Sequence, residues 1–260
     1  MAGHSKWANI KRRKAAQDAK KGQAYAKFSR EIIVAARIGG GDPAGNFRLR
    51  TAIERGKAAG LPNDNIQRAI DKGVGSGASD QLENLNYEGY GPAGVAVFIE
   101  SMTDNRNRTA GDIRSYFNKY NGNLGSDGCV AWIFQEQGLI TVETHRQKRS
   151  YSEESLFEAA IDAGASDFVA NTEENLCEIF TEPDRLNTVC EGLSESGWLI
   201  QSAEMTRRPQ NTVEISDTAQ AVLLMKLLDA IENQEDVQAV YANAVMEDAV
   251  TEAAWAVLNR

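Results

Sequence analysis

Histidine and cysteine are scarce in this chain: its 260 residues include only His4, His145, Cys129, Cys177 and Cys190. Two histidines leave little material for catalytic triads or histidine-rich metal sites. The cysteines lie far apart, without C-x-x-C spacing and among apolar neighbours, as small buried residues do. An odd count without ligand spacing argues against a disulfide framework and against structural zinc. No stretch approaches the roughly 18 uninterrupted apolar residues that cross a bilayer. The opening residues lack the apolar core of a secretory signal. Their basic run leads into structured-looking sequence rather than a dispensable transit segment, so a cytoplasmic address without a membrane partner is expected. No G-x-x-x-x-G-K followed by Ser or Thr occurs, which argues against nucleotide hydrolysis. The carboxylates Glu153, Glu154, Glu173, Glu174, Glu232, Glu235 and Asp236 lack the alternating oxygen spacing of a calcium loop and are read as solvated helix ends and turns. No catalytic residue, metal or cofactor is expected.

What the chain does have is a strong segregation of charge. Residues 1–75 carry 16 Lys and Arg against 6 Asp and Glu, a net +10, whereas the remainder carries 12 against 31, a net −19. Such asymmetry fits a polyanion-binding module attached to a body that polyanions repel. Two other readings compete: a solvated helical face, and a basic quarter that docks on the acidic body.

Length suggests one large domain or two to three smaller ones. The first quarter reads as helical. Phe28, Ile32 and Ala35 or Ala36 recur at helical spacing from Ala24, and Gly39-Gly40-Gly41-Asp42-Pro43 ends that helix. Asn46–Ala59 fits a second helix. A third begins at Asn63 or Asp64, either of which could cap it, and closes at Gly73. The linker-like run from Gly73 to Ser79 marks a boundary. Beyond it strands are expected at Val95–Ile99, Val130–Phe134, Leu139–Val142, Asp167–Ala170, Leu176–Thr181, Leu199–Met205, Val213–Ile215 and Val237–Ala242. Helices are expected at Thr109–Tyr120, Glu153–Ala163, Asp184–Ser196 and Ala219–Ile231. That order gives an α+β fold: an N-terminal helical domain, 1–78, followed by two ferredoxin-like α/β domains. The second, 136–211, is inserted in the first, 79–135 plus 212–260.

The candidate nucleic-acid-binding residues are His4, Lys6, Trp7, Lys11, Arg12, Arg13, Lys14, Lys20, Lys21, Lys27 and Arg30. Residues 8–21 have too few large apolar side chains for a core stripe, so a partner is expected to order this arm. Arginine forks suit bidentate phosphate contacts. Trp7 could stack on a base or pack onto the Ala24–Ile38 helix. No helix-turn-helix signature is visible, so phosphate contact is the claim rather than base reading. A second anion or partner contact is placed at Arg106 and Arg108, beside a helix start. The same segment also reads as a simple turn and cap.

Several ordered segments resemble the YebC family, which includes the bacterial PmpR regulators and the mitochondrial translational activator of cytochrome oxidase. They are Met1–Lys11 followed by Arg12-Arg13-Lys14, then Leu61–Ile66, Tyr87–Gly94, Thr103–Thr109 and Gly128–Phe134. The resemblance implies a helical N-terminal domain and two α/β domains. It also implies sequence-preferring DNA binding in some members and support of translation at the ribosome in others. A DNA-binding transcriptional regulator is therefore expected. The alternative is a translation factor on the ribosome or on ribosomal or transfer RNA. An enzyme with an interdomain cleft is the remote third reading, without a visible nucleophile–base pair.

Overall fold

The computed structural model describes residues 21–75, 83–147, 152–171 and 175–258. These form an α+β protein in two compact units. Residues before Ile133 group with those from Asn211 onward, and Ile133–Gln210 forms the other unit.

Three helices open the first unit: α1 (Lys21–Gly39), α2 (Phe47–Ala58) and α3 (Asn63–Val74). Ile32, Ala35 and Ala36 of α1 bury against Leu49, Ala52 and Ile53 of α2 and Ile66, Ala69 and Ile70 of α3. Asn46 sets the first corner. Its Oδ1 accepts from Leu49 N–H at 3.0 Å, capping α2, while its Nδ2 donates to the Ala35 and Gly40 carbonyls, both at 2.8 Å. Gly73 does not close α3. It lies inside the helix, where an added Cβ would fall 2.5 Å from the Ile33 carbonyl oxygen, so it is the point at which α1 and α3 approach. Nor does Asn63 or Asp64 cap this helix: Pro62 holds the cap position without a side-chain hydrogen bond.

The chain continues through β1 (Glu83–Tyr90), β2 (Ala96–Thr103), α4 (Arg106–Lys119) and β3 (Asn123–Leu124). The second unit follows, with β4 (Phe134–Glu143), α5 (Glu153–Ala163), β5 (Asp167–Asn171), β6 (Leu176–Thr181), α6 (Leu186–Glu195) and β7 (Ser202–Pro209). The first then resumes with β8 (Val213–Ile215), α7 (Thr218–Glu232), β9 (Val237–Ala242), β10 (Ala244–Met246) and α8 (Asp248–Leu258).

In the inserted unit the antiparallel sheet runs β5-β6-β4-β7. With one helix after β4 and one after β6, this is the ferredoxin-like plan. Ile140, Val142, Cys177 and Ile179 pack under Leu156, Val189 and Leu193 of its helices. The outer sheet runs β3-β1-β2-β9 and is also antiparallel. Its spatial arrangement matches that of the inserted unit, but the chain reaches it differently. The strand in the inner position beside the short edge strand comes first in the chain, as the hairpin partner of β2. Val97 and Ile99 of β2 meet Ile113 and Phe117 of α4 and Leu224, Leu228 and Ile231 of α7 in its core. The pairing of β2 with β9 spans the insertion.

Candidate nucleic-acid interface

Of the basic residues expected to touch nucleic acid, His4, Lys6, Trp7, Lys11, Arg12, Arg13, Lys14 and Lys20 lie outside the described residues, and Lys21 opens α1. Lys27 and Arg30 are one helical turn apart on α1, and both reach the C-terminal end of α7. Lys27 Nζ donates to the carbonyl of Glu232, the last residue of that helix. Arg30 Nη1 donates to the carbonyl of Glu235 and, at 2.7 Å, to Asp236 Oδ1; its Nη2 lies 3.7 Å from the Glu235 carboxylate. A helix C-terminus leaves carbonyls without intrahelical donors and carries partial negative charge, so cations are favoured there.

Asp236, with its side chain 1% exposed, is the centre of this arrangement. Its Oδ2 accepts from Thr109 Oγ1 at 2.7 Å, Arg108 Nη2 at 3.0 Å and Gln234 Nε2 at 3.2 Å. Burial opposes its ionisation. The hydrogen bonds from Thr109, Arg108 and Gln234, together with the charge of Arg30, outweigh burial and hold the carboxyl below its ordinary value. Arg30 and Arg108, assigned from sequence to two separate candidate contacts, thus converge on one carboxylate.

Arg106 and Arg108 part company. Asn105 caps α4 by accepting from Arg108 N–H at 3.1 Å, which turns the Arg108 side chain back to Asp104 at 2.8 Å as well as to Asp236. The Asp236 and Asp104 hydrogen bonds raise the Arg108 pKa further above its ordinary value. The Arg106 side chain is instead 66% exposed, with Nε 3.8 Å from a Glu83 carboxylate oxygen. On the helical bundle, Arg48 and Lys57 of α2 and Arg68 of α3 also lie exposed.

One feature escaped the sequence reading. Trp132 is 65% exposed, yet its Nε1–H donates to the Cys129 carbonyl at 3.1 Å, and the Tyr90 hydroxyl donates to that same oxygen at 3.1 Å. Beneath this loop the buried Glu88 carboxylate accepts from the N–H groups of Gly128, Val130 and Ala131 at 2.7, 2.8 and 2.7 Å. The segment expected as a strand at Val130–Phe134 is therefore a loop and a short 3-10 turn before β4 begins at Phe134. A lone Glu in a Tyr-Glu-Gly run gives no sequence signal of such anchoring.

Among the described residues, no group of three or more His, Cys, Asp or Glu stands together as a metal site, and no helix is long and apolar enough to cross a membrane. The chain is 53% identical over 252 residues to a probable transcriptional regulatory protein of Persephonella marina, covering 97% of this chain and 99% of that protein. It is 52% identical over 256 residues to one from Thermosynechococcus vestitus, covering 98% and 100%. A crystal structure of a conserved hypothetical protein from Aquifex aeolicus matches with a TM-score of 0.80 at 45% identity, over 89% of this chain and 93% of that one. The TACO1/YebC N-terminal domain matches residues 5–76, and the TACO1/YebC second and third domain matches 82–244. Helical bundle, interrupted α/β unit and inserted α/β unit together belong to a member of the TACO1/YebC family.

Proposed function

We propose that this protein is a non-enzymatic regulator of gene expression that binds nucleic acid through its basic first quarter, with DNA as the ligand and transcription as the process. The net +10 of residues 1–75 against −19 elsewhere carries this reading. Relatives named probable transcriptional regulatory proteins support it. Lys27 and Arg30 are engaged on the end of α7, so phosphate contact falls first to the arm from His4 to Lys21, with Arg48, Lys57 and Arg68 as exposed cations of the bundle. The −19 remainder repels a polyanion and so directs phosphate contact to the basic quarter.

One observation favours the second reading, an RNA-bound or ribosome-bound translation factor. The Trp132 ring is hydrogen-bonded at its edge and exposed, a form suited to stacking on an unpaired base.

Titration of the full chain with duplex DNA and with single-stranded RNA across a salt series tests both. Neutralising about six phosphates gives a slope of log K against log salt near −5 on duplex or near −4 on single strands. Substituting Lys11, Arg12, Arg13 and Lys14 together by Gln flattens that slope. Binding without salt dependence, or unchanged by the quadruple substitution, overturns the electrostatic reading. Promoter occupancy set beside ribosome co-sedimentation in the same cells decides between DNA and RNA.

A further inference from the structure

Lys27 and Arg30 belong to the candidate nucleic-acid-binding set, yet both are held by oxygen acceptors of their own unit, a helix-end carbonyl for Lys27 and the Glu235 carbonyl with the Asp236 carboxylate for Arg30. The α7–β9 turn presents the Glu232 carbonyl at the negative end of a helix, the Glu235 carbonyl and carboxylate, and the Asp236 carboxylate. To a guanidinium this cluster offers what a phosphodiester offers: several oxygen acceptors around a concentrated negative charge.

We propose that the α7–β9 turn is an internal phosphate mimic, which competes with nucleic acid for Lys27 and Arg30. Docking of α1 on this turn and delivery of these two cations to a polyanion are then alternatives. The proposal rests on the nucleic-acid reading of the basic quarter.

The surroundings of Asp236 make the exchange reversible. Removing the sole partner of a buried carboxylate is strongly destabilising. Here Arg108, Thr109 and Gln234 remain on Asp236 when Arg30 leaves, so the carboxylate stays ionised, oriented and ready to recapture it. Arg108, the more exposed of the two at 46% against 20%, is tied to Asp104 as well and is therefore the standing partner, whereas Arg30, brought to the node by a separate helix, is the exchangeable one. A competitor of this kind lowers apparent affinity by the fraction of molecules with the cations released. If about one molecule in ten is open, freeing the cations tightens binding about tenfold.

The test uses the full chain, fluorescent mixed-sequence duplex DNA and single-stranded RNA, and anisotropy at fixed salt. Asp236→Asn keeps the shape of the node and removes its charge. Glu252→Gln makes the same change of net charge at an exposed position on α8 and serves as the control. Asp236→Asn is expected to bind about three- to tenfold tighter than the control. That gain should vanish in an Arg30→Gln background, where the mimic has lost its main ligand. Should Asp236→Asn fail to fold, Glu235→Gln, on a largely exposed side chain, gives a smaller gain in the same direction. A folded Asp236→Asn chain that binds no tighter than the control overturns the proposal, as does a gain that persists with Arg30→Gln or, in the fallback, a Glu235→Gln chain equal to the control. A wild-type chain that binds neither probe overturns the nucleic-acid reading itself. Binding without the gain removes only the mimic.

Discussion

Arg30 and Asp236 stand 206 positions apart in the chain and meet at 2.7 Å. Through that contact, and the one between Lys27 and Glu232, the helical bundle is fastened to the turn that starts the last strand of the outer sheet.

The two arginines of the Asn105–Thr109 segment are expected to behave differently when removed. Arg108→Ala takes a charge-assisted hydrogen bond from a buried carboxylate but leaves Arg30 on it, so a loss of about 1–3 kcal/mol is expected. Asp236→Ala takes the shared carboxylate from Arg30, Arg108, Thr109 and Gln234 at once and costs more, about 3–5 kcal/mol. Arg106→Ala changes stability by about 0–1 kcal/mol, as exposed pairs do. Urea unfolding of the three variants, followed by circular dichroism, should reproduce that order. Arg106→Ala falling as far as Arg108→Ala would show that the exposed pair with Glu83 has been undervalued.

Acid sensitivity should trace to two carboxylates, one in each unit. Asp236 is held below its ordinary pKa for the reasons above. Asp167 is lowered chiefly by Arg208, whose Nη1 donates to it at 2.6 Å; burial opposes this, and the Phe168 N–H adds to it. A carboxyl depressed in the folded state stabilises it fully above the unfolded value, roughly 3.9, and loses that contribution as pH falls through the folded value. Wild-type stability should therefore decline from about pH 4 downward. Asp236→Asn and Asp167→Asn should each be less stable at neutral pH and show a shallower decline in acid, read from urea midpoints along a pH series. Parallel curves for variant and wild type would remove these two groups from the acid transition.

Two glycine substitutions test packing with opposite signs. Gly73→Ala places a methyl 2.5 Å from the Ile33 carbonyl oxygen and 2.7 Å from Ala36 Cβ. Overpacking of about 1–3 kcal/mol should outweigh the helix-propensity gain of about 1 kcal/mol. Gly111→Ala in α4 meets nothing within 4 Å and should stabilise by about 0.5–1 kcal/mol. Melting temperatures that moved the same way in both would contradict the packing described at α1 and α3.

Glu88→Gln should loosen the loop that carries Trp132. The amide keeps one acceptor and turns an NH2 group towards N–H donors, at a cost of about 1–3 kcal/mol. Amide exchange at Gly128, Val130 and Ala131 is expected to accelerate selectively. Unchanged protection there would mean that the loop is held by other contacts.

Fold class was legible because apolar periodicity and glycine-rich turns are local signals. α1, α2 and α7 stand within a few residues of where spacing placed them, and the interruption of one α/β unit by another followed from element order. What failed was decided by distant contacts. The strands expected at Val130–Phe134 and Leu139–Val142 leave a gap that β4 fills, running through Gly138, where Thr181 Oγ1 would lie only 2.3 Å from a Cβ and glycine gives the room. β1 alternates Leu85, Tyr87 and Gly89 too weakly to announce a strand, and its place is set by pairing with both β2 and β3. α8 went unforeseen despite its run of alanines and valines. For the candidate site, charge located the basic quarter, but no pattern in one dimension says that Arg30 and Arg108 share Asp236.

The insertion also orders events in time. Within the inserted unit, Gln210 N–H donates to the Ile133 carbonyl at 2.8 Å, so its two ends are joined and every strand it needs lies within one continuous stretch. The outer sheet has no such freedom, since β2 awaits β9, whose Val240 pairs with Ile99. During synthesis the inserted unit can be complete while β2 still presents an apolar, unpaired edge, the kind of surface on which growing chains aggregate. The interval between emergence of residue 103 and residue 242 is therefore one in which this edge lies open. Slowing elongation within it should lower soluble yield more than slowing elsewhere.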